Sequence, residues 1–205
     1  GGSLNTITEH KPRLNFPLTK NSHKLPHLFA LTDSNRGPNP IDLIDRLPKT
    51  AGLIFRHYDM PNRHHLAKSV IRACQKRGIL CFIAGDIKLS AHLKADGVHL
   101  PEHQLRRPNY GLSHFKQAGG LVTAATHSLA AGLLAQKQGV DGVFLSPVFP
   151  TKSHVGAPHI GLIRFARVAR NLKIPVFALG GIDVLQKPLL KNAGAYGLGG
   201  ISLFE

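Results

Sequence analysis

Short apolar segments alternate with segments of helical periodicity along almost the whole chain. The apolar segments are brief enough for buried strands, and they cover residues 28–32, 53–56, 79–84, 96–100, 121–126, 142–148, 174–179 and 196–202. Apolar residues recur at helical spacing between them, in residues 40–47, 63–77, 88–94, 110–117, 128–138, 162–171 and 183–192. Eight strands in alternation with seven helices predict an α/β protein, a single (β/α)₈ TIM barrel.

An internal repeat favours a closed barrel over an open sheet. The segment ILCFIAG at 79–85 resembles IPVFALG at 174–180, which begins 95 residues later. Each is followed by a helix and then by a strand entry rich in Ala and Gly, at 95–98 and 195–198, and the entry at 140–143 is similar. Repetition at half-barrel distance is expected of a pseudo-symmetric barrel. An open flavodoxin-like sheet is the alternative.

The two ends of the chain differ from this pattern. Residues 1–26 are polar and aperiodic with a net charge of +3, so we predict a basic N-terminal extension followed by a barrel domain over 27–205. Only Leu203, Phe204 and Glu205 follow the predicted eighth strand, so we expect the final helix to be short or absent. The outer face of strands eight and one would then be bare apolar surface. We expect residues 1–26, or a partner subunit in a homo-oligomer, to cover it.

Composition narrows the cellular context. The chain is 42% hydrophobic, yet no run approaches the roughly 18 apolar residues of a membrane span. Residues 1–26 lack the apolar stretch of a signal peptide. We therefore expect a cytoplasmic protein with no membrane partner.

The net charge of +15 raises the question of nucleic-acid binding. The charge outside residues 1–26, a net of +12, is spread along the chain without a concentrated basic block. There is no helix-turn-helix signature and no series of aromatic residues of the kind that stacks bases. A positive field that attracts phosphorylated metabolites accounts for the same charge, so we do not expect a nucleic-acid partner.

Two glycine pairs lie where a barrel of this type usually binds phosphate, beyond strands seven and eight. Gly180 and Gly181 follow the seventh strand, and Gly199 and Gly200 end the eighth. Glycine lets backbone N–H groups approach an anion closely. The predicted phosphate-binding residues are Gly180, Gly181, Gly200, Ile201 and Ser202. The alternative is that these glycines only allow tight turns.

Five motifs carry a family resemblance. The strings ADGVHL (95–100), ATHS (125–128), GVFLSPVFPT (142–151), PVFALGGI (175–182) and GGIS (199–202) resemble the thiamine phosphate synthase and thiazole tautomerase (TenI-type) superfamily in their order and spacing. The resemblance runs from about Leu28 to Phe204. It implies a TIM barrel that acts in thiamine biosynthesis and binds a small phosphorylated thiazole.

The chain departs from the synthase pattern at several positions. In the synthase, a pyrimidine pyrophosphate is joined to a thiazole phosphate, and a metal ion and basic residues hold the leaving pyrophosphate. The family's Gln-x-Arg-Glu-Lys pattern retains only Arg56, and its Asn-Asp pair is Gly85-Asp86 here. Its second metal-binding aspartate is replaced by Gln104, and the serine before Thr-His is replaced by Ala125.

The resemblance assigns the remaining positions of the site. Substrate binding falls to Arg56, Asp86, Thr151 and Lys152. A synthase would need Mg²⁺, for which Asp86 and Glu102 are the candidate ligands, since carboxylates are typical ligands of this ion.

Loss of the metal and pyrophosphate residues favours the tautomerase branch. There a histidine at the position of His127 moves protons on the thiazole ring, and no cofactor is required. An imidazole can accept and donate a proton near neutral pH, as such a reaction demands of a general acid/base. We therefore expect a TenI-like tautomerase. The alternatives are a divergent thiamine phosphate synthase and a non-catalytic barrel that binds a phosphorylated ligand.

Overall fold

The computed structural model describes residues 14–152, 154–201 and 203. Eight parallel strands pair in sequence order, and β8 pairs with β1 to close a barrel. The predicted (β/α)₈ barrel is confirmed, and the open flavodoxin-like sheet is wrong. None of the helices in the described part of the chain is long and apolar enough to cross a membrane.

The elements lie close to their predicted positions. The strands are β1 (Leu28–Leu31), β2 (Gly52–Phe55), β3 (Leu80–Ala84), β4 (Gly97–Leu100), β5 (Leu121–Thr126), β6 (Gly142–Leu145), β7 (Val176–Leu179) and β8 (Gly197–Gly200). The helices are α1 (Pro40–Arg46), α2 (Arg63–Arg77), α3 (Ile87–His92), α4 (Leu112–Gln117), α5 (Leu129–Lys137), α6 (Gly161–Asn171) and α7 (Lys187–Asn192). Short 3₁₀ turns cover Ser22–Lys24, Glu102–Arg106 and Val184–Gln186.

Phenylalanine rings fill the inside of the barrel. Phe29 meets Phe82, Phe144 and Phe177 edge-on, with ring centres 5.2–5.3 Å apart. Glycines on neighbouring strands make room for these rings, since a Cβ at Gly97 would lie 2.5 Å from Phe82 ring atoms. The sequence achieves a close-packed interior by pairing its largest apolar residues with its smallest ones.

The outer face of β8 and β1 is buried. Leu28, Ala30 and Leu198 are at most 1% exposed and belong to the core cluster outside the barrel, against which Leu203 also packs. Leu18, in the N-terminal segment, instead packs with the cluster inside the barrel.

The described part of the N-terminal segment lies at the amino-terminal end of the barrel. The Ser22 hydroxyl donates to the carbonyl of Asp141, just before β6, and the Tyr196 hydroxyl, just before β8, donates to the Ser22 carbonyl. The described contacts of residues 14–26 therefore do not place this segment on the β8–β1 face, since Leu14, Leu18 and Leu25 pack with the cluster inside the barrel. Residues 1–13 lie outside the described residues, and the domain boundary and the homo-oligomer stay predictions.

The packing of glycine against phenylalanine can be tested at Gly97. We expect Gly97→Ala to lower the free energy of unfolding by about 1–3 kcal/mol, because the added methyl group overpacks the Phe82 ring. In a double-mutant cycle with Phe82→Leu, measured by urea unfolding, Gly97→Ala should cost clearly less in the Phe82→Leu background than in the wild type. Equal costs in both backgrounds would contradict this account of the interior.

Candidate active site

The alternation of inward-facing residues continues past the strand ends. Ile54 and Ala84 face the barrel interior, and two residues beyond them come Arg56 and Asp86. On β5, Ala125 is in register with Phe144, which also faces inward, and two residues beyond it comes His127. Because the strands are parallel, these three positions lie at one end of the barrel, where barrels of this class carry their active sites.

Arg56 is held against the end of β1. Its backbone N–H donates to the Thr32 hydroxyl (2.9 Å), and its Nε donates to the Thr32 carbonyl (3.0 Å). Its Nη2 lies 3.9 Å from a carboxylate oxygen of Asp33. Burial lowers the pKa of Arg56 and the Asp33 charge acts against that shift, but a guanidinium keeps its proton in proteins. Arg56 thus presents a positioned positive charge.

A second guanidinium group, which sequence reasoning missed, comes from the first residue of α2. Arg63 Nε donates to the carbonyl of His57 (2.9 Å), and Nη2 donates to the carbonyl of Ala84 (2.6 Å). Its guanidinium carbon lies 5.6 Å from the Phe55 ring centre and 5.4 Å from the Tyr58 ring centre. Arg63 therefore joins the ends of β2 and β3. An arginine at a helix start gives no signal of these contacts in the sequence.

Asp86 follows β3 and begins α3. Its Oδ1 accepts a hydrogen bond from the Leu89 backbone N–H (2.8 Å), which caps the helix. Beside it, Gln104 Nε2 donates to the carbonyl of Gly85 (3.2 Å). Gln104 Oε1 is buried and accepts no hydrogen bond from a described residue. A carboxylate and an amide oxygen thus occupy neighbouring positions after β3 and β4.

Glu102 is engaged in contacts within the protein. Its Oε2 accepts from the backbone N–H of His127 (2.7 Å), and its Oε1 lies 3.5 Å from Arg106 Nη2. Across the described ranges, no group of three or more His, Cys, Asp and Glu side chains is placed to hold a metal ion. Of the two predicted metal candidates, Asp86 has fewer contacts that metal binding would break.

His127 lies exposed after β5 in a defined tautomer. Its Nδ1 is 2.7 Å from the Ser146 carbonyl oxygen, and since a carbonyl can only accept, Nδ1 carries the hydrogen. Nε2 of the neutral ring is then the proton acceptor. The capping role belongs to the next residue, because Ser128 Oγ accepts from the Ala131 N–H (3.1 Å).

His99 lies inside the barrel, one layer below this end. It is 3% exposed, and its Nδ1 shares a hydrogen bond with the Thr123 hydroxyl (2.9 Å). Burial, with a smaller contribution from the charge of Arg56, lowers the pKa of His99 to about 3. The imidazole is therefore neutral at physiological pH.

The predicted phosphate-binding turns lie at the same end of the barrel, after the adjacent strands β7 and β8. The backbone N–H groups of Gly181 and Ile201 donate to no other described residue. Close packing also requires the glycine at 181, since a Cβ there would collide with the Pro150 carbonyl oxygen. Ser202 lies outside the described residues, so its part in this prediction has no structural account.

The loop after β6 borders the same turns. Thr151 is half-buried, and its hydroxyl accepts a hydrogen bond from the His154 N–H (3.1 Å). Lys152 is exposed. Neither residue contacts Arg56 or Asp86 in the described contacts, so their predicted role in substrate binding stays a prediction.

Comparison with known proteins shows which family this chain belongs to. A family model described as thiamine monophosphate synthase matches residues 48–204. This chain belongs to that family. A protein of Aquifex aeolicus, provisionally named thiamine-phosphate synthase 2, is 34% identical over 88% of this chain and 98% of its own length. A thiamine-phosphate synthase of Myxococcus xanthus is 31% identical over 86% of this chain and 85% of its own.

A solved structure shares the fold. Thiamine phosphate pyrophosphorylase from Pyrococcus furiosus superposes with a TM-score of 0.69 at 23% identity, over 87% of this chain and 86% of that one. The family model and the curated relatives confirm the predicted family, and this chain belongs to a family of enzymes that act in thiamine biosynthesis. These relatives carry synthase names, so the preference for a tautomerase finds no support among them.

The buried state of His99 predicts how stability depends on pH. The unfolded chain binds a proton at this histidine below about pH 6.5, whereas the folded chain does so only near pH 3. The contribution is thus present above the unfolded pKa and is lost as the pH falls, at up to about 1.4 kcal/mol per unit. Between pH 6.5 and 4.5, the wild type should lose about 2 kcal/mol more than His99→Gln in urea unfolding. Parallel losses in both proteins would exclude this contribution.

Proposed function

We propose that this chain is a thiamine phosphate synthase, which joins a hydroxymethylpyrimidine pyrophosphate to a thiazole phosphate and releases pyrophosphate. The observation that carries the proposal is the arrangement of arginine side chains and backbone N–H groups at the carboxyl end of the barrel. Arg56 follows β2, Arg63 joins the ends of β2 and β3, and the Asp86 charge raises the pKa of Arg63 against the larger effect of burial. The N–H groups of Gly181 and Ile201 lie at β7 and β8. The site therefore has donors for two separate anionic groups.

This arrangement suits the reaction. The bond between the pyrimidine's methylene carbon and the pyrophosphate oxygen breaks, and a bond from that carbon to the thiazole nitrogen forms. The leaving pyrophosphate carries about three negative charges, so its departure needs positive charge aimed at it. Arg56 supplies such charge from a fixed position. The amides at β7 and β8 hold the thiazole phosphate, so that the ring nitrogen is presented to the pyrimidine.

The residues present fit a magnesium ion. Mg²⁺ is usually bound through one or two carboxylates together with substrate phosphates, and it prefers oxygen ligands. Asp86 would hold it, and the amide oxygen of Gln104, which has no partner among the described residues, lies in the neighbouring turn. When bound, the ion would supply further positive charge against the leaving pyrophosphate.

A second candidate function rests on His127. The hydrogen bond from its Nδ1 to the Ser146 carbonyl makes Nε2 a proton acceptor at the exposed end of the barrel. That is the arrangement a cofactor-free thiazole tautomerase requires of its general acid/base. A non-catalytic barrel would keep the phosphate-binding amides without either chemistry.

The proposed partners of this protein are small phosphorylated substrates. The net charge of +15 attracts such substrates, and the proposal includes no nucleic-acid partner. A cytoplasmic location belongs to the same proposal, because both substrates are charged metabolites.

The synthase proposal can be tested with both substrates and Mg²⁺. We expect thiamine phosphate and pyrophosphate in equal amounts. Asp86→Asn keeps the oxygen that caps α3 but removes the charge, so turnover should fall tenfold or more, about 1.4 kcal/mol of barrier. Asp45→Asn on α1 makes the same change at an exposed site and should be without effect. Absence of product from the wild type at any Mg²⁺ concentration would refute the proposal.

The tautomerase candidate is tested with the thiazole carboxylate phosphate alone. His127→Gln removes the proton acceptor at Nε2, so it should abolish isomerisation, followed by NMR, if this activity exists. In a synthase without tautomerase activity, wild type and variant alike leave the thiazole unchanged. Phosphate-ligand binding without turnover in either assay would point to the non-catalytic barrel.

A further inference from the structure

Two guanidinium groups lie near the end of β2, and one of them, that of Arg63, contacts the Tyr58 ring. Arg56 approaches from the β1 side, where it contacts Thr32 and Asp33. Arg63 approaches from the β3 side, where it contacts the carbonyl of Ala84. The charges of both arginines act on the phenol of Tyr58, lowering its pKa against the larger effect of burial, which raises it. Arg63 Nε donates to the carbonyl of His57, the residue after Arg56, so both guanidinium groups are anchored at the end of β2.

Each guanidinium retains donors beyond those contacts. A guanidinium has five N–H donors in a planar fork. Among the described contacts, Arg63 uses Nε for the His57 carbonyl and Nη2 for the Ala84 carbonyl, which leaves the two N–H groups of Nη1 and one of Nη2. The two carbonyl contacts fix the plane of the fork. Side-chain entropy is thus already lost before a ligand arrives, which favours binding.

The position is chemically suited to an anion. Partly buried arginine pairs repel each other, and an oxyanion between them relieves that repulsion while accepting charge-assisted hydrogen bonds. Asp33 lies 3.9 Å from Arg56, whereas the described ion pairs include none for Arg63, on which the Asp86 charge acts from farther away. The family pattern has lysine two residues after the arginine, and this chain has Tyr58 there. A cation at the start of α2 can replace that charge in space, although it is displaced in sequence.

We propose that Arg63, together with Arg56, binds the pyrophosphate of the first substrate, and that Arg63 is thereby a substrate-binding residue of this chain. This inference rests on the proposed synthase function for the identity of the substrate. Beyond the proposed function, the new assignment is the binding of pyrophosphate by Arg63. Pyrophosphate lies at β2 and β3, and the thiazole phosphate lies at β7 and β8.

Binding of inorganic pyrophosphate tests the inference without turnover. Titration calorimetry in buffer with Mg²⁺ should give a Kd for Arg63→Gln that is about tenfold or more above the wild-type value, because charge-assisted hydrogen bonds are lost. Arg63→Lys keeps the charge but not the fork, so its Kd should be intermediate. Arg72→Gln removes the same charge from an exposed position on α2 and should bind like the wild type.

A purely structural role for Arg63 makes a different prediction. If Arg63 only joins the ends of β2 and β3, Arg63→Gln lowers Tm while the folded protein binds pyrophosphate with unchanged Kd, and that result would overturn the inference. Thermal unfolding of each variant separates the two cases. Arg63→Lys gives a second measurement if Arg63→Gln does not fold.

The result for Arg63 can be distinguished from the result for the synthase activity. If the wild type makes no thiamine phosphate but Arg63→Gln loses affinity for pyrophosphate, the anion site is supported and the synthase proposal is rejected. Synthesis of thiamine phosphate by Arg63→Gln, with wild-type KM for the pyrimidine pyrophosphate, would keep the synthase and reject the role of Arg63.

Discussion

Closure of eight parallel strands in one register determines where every functional side chain of this protein lies. Inward-facing residues alternate along each strand, and Phe29, Phe82, Phe144 and Phe177 lock the register because each ring needs its place inside the barrel. A shift of one residue would reverse the two faces of a strand. The same alternation places Arg56, Asp86 and His127 at the carboxyl end. Packing inside the barrel and the geometry of the site therefore have one cause.

The site depends on contacts between neighbouring strand ends. Thr32 after β1 holds Arg56 after β2, and Arg63 joins the ends of β2 and β3. Glu102 after β4 holds the backbone of His127 after β5, which in turn donates to the Ser146 carbonyl after β6. Each functional group is oriented by the adjacent strand, and orientation before binding is what makes such groups effective.

Sequence patterns were sufficient for the fold because strands and helices of this class have local signatures. All eight strands and seven helices were predicted to within a few residues, and the family followed from motifs that lie on strand ends. The chemistry was predicted less well, because a motif comparison examines fixed positions. The loss of several metal and pyrophosphate residues, among them the lysine at the position of Tyr58, favoured a tautomerase. Only the folded chain shows that Arg63 brings a guanidinium to that place, and that Glu102 is engaged by His127 and Arg106.

The central claim is that one end of the barrel holds two anions on separate sides. A crystal structure with pyrophosphate, Mg²⁺ and a thiazole phosphate tests it most directly. The account predicts pyrophosphate within hydrogen-bond distance of both Arg56 and Arg63, and the thiazole phosphate on the amides of Gly181 and Ile201. Both anions bound at the glycine turns, or pyrophosphate bound away from the two arginines, would contradict it.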